Sequence, residues 1–266
     1  MYLQHFGLTH APLDKGNSAP LWDDGQYRHL EERFKWLLQS PGIGMMIGEA
    51  GVGKTAALRQ LTEGLNPHQY RIIYLPETDF GRLDIYRGLA FALGLDPAYR
   101  RAQLWCDIKA RIRELVENQQ QLPVWIIDEA QNLPAEFFRD LPAFLNFAFD
   151  TRNLMTVWLV GLPPLAHTLS RVPYAALNSR IQTRLRLHAI TDAARFAALI
   201  EHAFREAGCQ QKLLSDSGMD LLRQTTQGNP RQAGLLLKTA MNLAAKQGLN
   251  HLPDDVLQAA IEELRP

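Results

Sequence analysis

The sequence predicts an α/β fold, a five-stranded parallel sheet covered by helices and followed by a small all-helical domain. Two patterns carry this reading. Short apolar runs alternate with helical periodicity through the first two-thirds of the chain, which is the signature of βαβ units. Beyond about residue 190 the strand signal stops and only helical segments follow. The expected domains are 1–190 and 191–266.

Taken in order, the expected strands lie at 43–47, 70–75, 124–127, 155–160 and about 184–189. Helices are expected to begin near Gly53, Asp84, Ala98 and Pro134. The segment 98–121 carries Leu104, Ile108, Ile112 and Leu115 at helical spacing, and Arg100, Arg101, Lys109, Arg111 and Arg113 on its other face. The final domain reads as helices at 192–207, 215–226, 230–247 and 253–264. Each opens on a residue suited to a helix start, Asp192, Ser215, Pro230 or Pro253, and several end at glycine.

The 266 residues include 28 basic and 28 acidic side chains, so the formal charge is zero and any nucleic-acid binding must come from a local patch. The cysteines, Cys106 and Cys209, stand far apart with no neighbours resembling metal ligands, and are expected to be packing residues in a reduced protein. The start lacks a basic stretch followed by an apolar one, and no window approaches about eighteen consecutive apolar residues. A soluble, cytoplasmic protein without a membrane segment is therefore expected.

Chemistry enters at Gly48, Glu49, Ala50, Gly51, Val52, Gly53, Lys54 and Thr55, a complete Gly-x4-Gly-Lys-Thr loop with Ala56 opening the helix behind it. The glycines let successive backbone N–H groups face phosphates, Lys54 reaches the outer ones, and the Thr55 hydroxyl suits Mg²⁺. The run Val124-Trp125-Ile126-Ile127 then delivers Asp128 and Glu129. A buried strand ending in aspartate suits a metal shell, and the next carboxylate can polarise a water for attack on a γ-phosphate. These motifs hold ATP or GTP and supply the means to hydrolyse it.

The plan resembles an AAA+ ATPase, which implies ATP as the nucleotide and an AAA+ P-loop domain followed by a helical lid. Gly228-Asn229-Pro230-Arg231 is similar to the sensor II signature, where Arg231 would reach the γ-phosphate. Asn178-Ser179-Arg180-Ile181 sits where AAA+ proteins place the arginine finger of a neighbouring subunit, with Arg184 the next candidate. Within AAA+, the chain resembles the ExeA/TniB/TnsC group of bacterial ATPases. Tyr2-x3-Phe6-Gly7-Leu8-x3-Pro12 looks like that group's start, which packs near the adenine. Asp128-Glu129-Ala130-Gln131-Asn132-Leu133 looks like its extended Walker B, and Leu159-Val160-Gly161-Leu162-Pro163 like its fourth-strand exit. The chain departs from the pattern at Leu162, where a polar sensor I residue is usual. Either hydrolysis is slow, the reading preferred, or Asn146 or Gln131 serves instead.

Secretion-type members of the group carry a transmembrane helix and a further domain after the ATPase, whereas this sequence ends at Pro266. The resemblance therefore implies a short form that assembles on duplex DNA as a head-to-tail ring or filament and recruits or activates a transposase, directly or through an adaptor. The alternative is a secretion-type or signalling module acting on a protein partner. A nucleotide kinase fits poorly, because the Gly-Asn-Pro-Arg lid would have no purpose there. The candidate DNA contacts are Arg100, Arg101 and Lys109, from a stretch (98–121) with five basic and three acidic residues. The stretch 171–187 has four arginines and no acid, but finger roles already account for much of it.

Overall fold

The computed structural model describes residues 2–14, 22–23, 25–76, 81–147 and 150–265. Met1 and Pro266, the outer limits of the expected domains, lie outside the described residues. In chain order the elements are α1 (Tyr2–His5), α2 (Gln26–Gln39), β1 (Ile43–Gly48), α3 (Lys54–Glu63), β2 (Tyr70–Leu75), α4 (Arg82–Ala92), α5 (Arg101–Asn118), β3 (Leu122–Ile127) and α6 (Ala135–Phe144). They continue with β4 (Thr156–Gly161), α7 (Pro164–Leu169), α8 (Ala175–Asn178), β5 (Ile181–Leu187), α9 (Ala193–Glu206), α10 (Asp216–Thr226), α11 (Pro230–Lys246) and α12 (Asp254–Glu263). They fall into two compact units. One comprises Arg28–Gly48 and Leu61–Leu187; the other comprises Met1–Tyr27, Glu49–Gln60 and His188–Pro266.

In the sheet unit all strands run parallel, in the order β2-β3-β4-β1-β5. The expected five-stranded α/β architecture is observed. Both faces of the central strands are buried, as a parallel sheet covered by helices requires. Ile43, Met45, Ile47, Trp125, Ile127, Val157 and Leu159 alternate onto one face, where they join residues of α4, α5 and α6 in a single core. Tyr86, Trp125, Phe137 and Phe144 form its aromatic centre, with Tyr86 and Phe144 ring centroids 4.8 Å apart. On the other face Trp158 stacks on Phe34 of α2 at 5.6 Å, and the Thr156 hydroxyl donates to the Leu37 carbonyl.

The fifth strand and the helix before β1 differ from expectation. The fifth strand begins at Ile181 and ends at Leu187, instead of occupying 184–189. Ile181, Thr183 and Leu185 point inward while Gln182, Arg184 and Arg186 are exposed. Its alternation is that of an edge strand with one wet face, and the arginines break up the apolar run that marks the inner strands. Helix α2 was not among the expected elements, although Leu30, Phe34, Leu37 and Leu38 recur at helical spacing and are its buried side chains.

In the helical unit α9 to α12 enclose their own core, which includes Phe196, Leu222, Leu237, Met241 and Leu257. The side chains of Asp192, Ser215 and Asn229 accept hydrogen bonds from the first-turn N–H groups of α9, α10 and α11, the usual role of such residues at helix starts. The N-terminal segment joins this core through Phe6 and Leu8, and Thr9 N–H donates to the Ala207 carbonyl at 2.8 Å. The motif Tyr2–Pro12 thus has a packing role in the helical unit. Among the described residues, no helix is long and apolar enough to cross a membrane.

Gly44 tests how tightly the sheet face is filled. A Cβ there would lie 2.7 Å from the Trp158 ring and 2.8 Å from Leu37. Gly44→Ala is expected to cost about 1–3 kcal/mol through overpacking, read as a lower urea midpoint with an unchanged m value.

Candidate functional site

The glycine-rich loop leaves β1 at Gly48 and ends where α3 begins at Lys54. Gly51 and Gly53 adopt φ of 85° and 101°, a left-handed conformation that favours glycine and lets the backbone fold back on itself. Lys54 is only 6% exposed, and its ammonium donates to the Glu49 carbonyl at 3.0 Å, so the side chain lies across its own loop. Val52 is buried, while Glu49, Ala50 and Thr55 are exposed and Gly51, Gly53 and Ala56 half-buried. A buried ammonium beside a nest of backbone N–H groups at a helix start fits the phosphates of a nucleotide.

The Gly-Asn-Pro-Arg segment belongs to the same unit as this loop and is hydrogen-bonded to it. Asn229 Nδ2 donates to the Ala50 carbonyl at 2.7 Å, and Arg231 N–H to the Gly51 carbonyl at 3.3 Å. Asn229 Oδ1 accepts from Arg231 and Gln232 N–H, so one side chain caps α11 and holds the loop. Gly228 has φ 71°, and a Cβ there would lie 2.1 Å from the Ile190 carbonyl oxygen. The Arg231 residue itself is exposed at the loop. Sequence reading singled out Arg231 and missed Asn229, although Asn before Pro is a recognisable cap signal.

In the sheet unit, Asp128 follows β3 and is 4% exposed. Its carboxylate accepts from the Tyr74 hydroxyl at 2.9 Å and from Glu129 N–H at 2.9 Å. Burial, reinforced by the negative charge of Asp128, pushes the Tyr74 phenol well above its usual range, so Tyr74 remains a donor. Glu129 is exposed and holds the left-handed φ, ψ of 51°, 34° ahead of a 3₁₀ turn, Ala130–Asn132. Its Oε2 accepts from Gln131 Nε2 at 2.7 Å, while Gln131 Oε1 accepts Leu162 N–H at 2.9 Å. A buried, hydrogen-bonded carboxylate such as Asp128 is a hard oxygen donor that fits Mg²⁺, which keeps several waters and substrate oxygens. Tyr74 had no sequence signal beyond its place near the end of β2.

The finger candidates are held within the sheet unit. Arg180 donates to Asp150 at 2.7 Å and to the Ala176 carbonyl at 3.1 Å. It lines a cavity of about 240 Å³ with Asp150, Phe147, Met155 and Gln182. Arg184 donates to both the carbonyl and the side-chain oxygen of Asn178. Of the three candidate DNA contacts, Arg100 is exposed at the start of α5. Arg101 donates to Asp140 and lies over the Trp105 ring. Lys109 donates to the Ala143 and Asn146 carbonyls and sits over Phe144 and Phe147; burial, then the nearby Arg113, lowers its pKa. Two of the three are therefore engaged in fastening α5 to α6 and the residues just beyond it.

The sequence model of the AAA domain family matches residues 37–169, half of the chain. The chain belongs to the AAA domain family. This AAA ATPase is 26% identical to General secretion pathway protein A of Aeromonas hydrophila over 267 residues, covering 98% of the chain and 48% of that protein. It thus spans about half the length of this curated relative. Among solved structures, the AAA ATPase is similar to the Aeropyrum pernix ORC2 protein in its ADPNP–ADP complexes, with a TM-score of 0.69, 20% identity, and 94% and 70% of the two chains covered. The Aeropyrum pernix ORC1 protein in complex with DNA matches with a TM-score of 0.68 and 16% identity, over 95% of this chain and 68% of that one. At these identities the likeness establishes the fold.

A Cβ at Gly51 would lie 2.6 Å from Asn229 Oδ1 and 2.7 Å from Arg231 Cβ, at a φ that alanine resists. Gly51→Ala is therefore expected to weaken ATP binding at least about tenfold in isothermal titration calorimetry, because the loop must change shape and lose its Asn229 anchor.

Proposed function

We propose that this AAA ATPase is an ATP-dependent assembly switch that acts on duplex DNA and regulates transposition, by selecting a target or by recruiting or activating a transposase or its adaptor. The observation that carries the switch is the hydrogen bonding of Asn229 and Arg231 to the carbonyls of the glycine-rich loop. Whatever rearranges that loop acts directly on the start of α11, so nucleotide state and lid helix are mechanically tied. The domain division 1–190 and 191–266 belongs to this reading, as does action in the cytoplasm.

Residues 48–56 bind the triphosphate, with Lys54 neutralising its outer charge and Arg231 reporting its presence to the lid. Thr55, and Asp128 through water, would hold Mg²⁺, which supplies charge neutralisation on the phosphate oxygens. Glu129 orients and polarises the attacking water. Arg180 of one subunit completes the site of the next, so ATP favours a head-to-tail assembly and hydrolysis favours release. Arg180 must first leave Asp150, and Leu162 brings no polar side chain, which together suit a slow, oligomer-dependent ATPase. DNA contact rests on the exposed Arg100, with Arg101 and Lys109 beside it on α5; repetition around an assembly would multiply weak single-subunit contacts.

A second reading has its own support. The relative that matches 98% of this chain is named for general secretion, which favours a module acting on a protein partner. DNA binding separates the two. Under the first reading, ATP promotes sequence-tolerant binding to duplex DNA that weakens steeply between about 50 and 200 mM salt, as measured by fluorescence anisotropy. Absence of binding in every nucleotide state favours the second. Two variants test the ATPase mechanism common to both readings. Glu129→Gln is expected to retain ATP and accumulate as an oligomer in size-exclusion chromatography, with turnover reduced by about 100-fold or more. Arg180→Ala is expected to reduce turnover by about 1000-fold while nucleotide affinity stays near native. Full activity in Arg180→Ala moves the finger to Arg184.

A further inference from the structure

We propose that Gln131 is the residue that positions the catalytic Glu129, tying its carboxylate to the exit of β4 where the chain has Leu162 in place of a polar side chain. The inference rests on the reading of Glu129 as the water-activating group. Three observations converge on it. Gln131 Nε2 lies 2.7 Å from Glu129 Oε2. Gln131 Oε1 lies 2.9 Å from the Leu162 amide nitrogen. Gly161 makes room for the amide, since a Cβ there would fall 2.3 Å from Oε1.

The polarity of this bridge is set by chemistry. A backbone N–H can only donate, so the amide oxygen of Gln131 must face Leu162. Its NH₂ group is thereby turned toward Glu129, whose ionised carboxylate can only accept. The bridge also has little freedom at either end. Glu129 takes a left-handed backbone conformation uncommon for a residue with a side chain, and Ala130 at the turn is fully buried. Leu162 follows directly on β4, a strand buried along its whole length. A displacement of the β4 exit is thus transmitted through one amide to the orientation of the carboxylate. The bridge thus ties Glu129 to the backbone of position 162, where a polar side chain was expected.

The test is steady-state phosphate release by the full chain, with ATP affinity measured separately. Glu129→Gln serves as the control: if it retains native turnover, the reading of Glu129 fails and this inference fails with it. If that control is inactive, Gln131→Ala is expected to lower kcat about 10- to 100-fold while KM for ATP stays within about threefold, the pattern of lost positioning. Gln131→Glu keeps the volume and can still accept from Leu162, but cannot offer the same NH₂ group to Glu129; it is expected to remain as impaired as alanine. Gly161→Ala displaces the amide and is expected to lose a similar factor, and Gly161→Ala combined with Gln131→Ala to lose no more than Gln131→Ala alone. The inference is overturned, with Glu129 still catalytic, by near-native kcat in Gln131→Ala, by restored turnover in Gln131→Glu, or by losses at 161 and 131 that multiply.

Discussion

The buried amide of Asn229 is the contact on which the nucleotide-linked part of the molecule depends. Its oxygen satisfies two of the orphan N–H groups at the start of α11, and its nitrogen donates to the carbonyl of Ala50. A glycine-rich loop must expose its N–H groups to phosphate, so its carbonyls point elsewhere and need partners of their own. Asn229 and Arg231 provide partners for two of them. Helix capping and loop geometry are thereby one arrangement, and neither changes without the other.

The sheet unit solves a different problem, which is how to keep carboxylates in place where a buried strand ends. Asp128 has almost no exposure, and burying a charge without donors would be costly. Tyr74 and the Glu129 N–H supply donors, and Gln131 supplies one to the Glu129 carboxylate. The hydrophobic run of β3 brings the acidic pair to the strand exit, and the side chains around it decide how each carboxylate is oriented.

The arginines show how little a sequence says about whether a charge is available. Arg101 and Lys109 read as members of a basic helix face, yet their side chains reach across to α6 and the residues after it. They make hydrogen bonds there, and Lys109 also sits over Phe144 and Phe147 while Arg101 lies over Trp105 of its own helix, as amphipathic cations commonly do. Arg180 is likewise held by Asp150, thirty positions away in sequence. A charge count over a segment cannot register such partners.

The α/β class, the central strands and the start of each lid helix were legible in the sequence because period, apolar run length and cap residues are local properties. The phosphate loop and the acidic pair were legible for the same reason, since their chemistry needs fixed residue types at fixed spacing. Strand β5 was misplaced because three exposed polar residues interrupt its apolar positions, and the sheet's pairing, which sets its bounds, is non-local. The Asn229 anchor, the Tyr74 and Gln131 contacts to the acidic pair, and the capture of Arg101, Lys109 and Arg180 join residues distant in sequence or turned toward each other by an unusual backbone angle. Local pattern thus specified which chemical groups the chain carries, and folding assigned their partners, because hydrogen-bond geometry depends on positions in space that spacing along the chain does not encode.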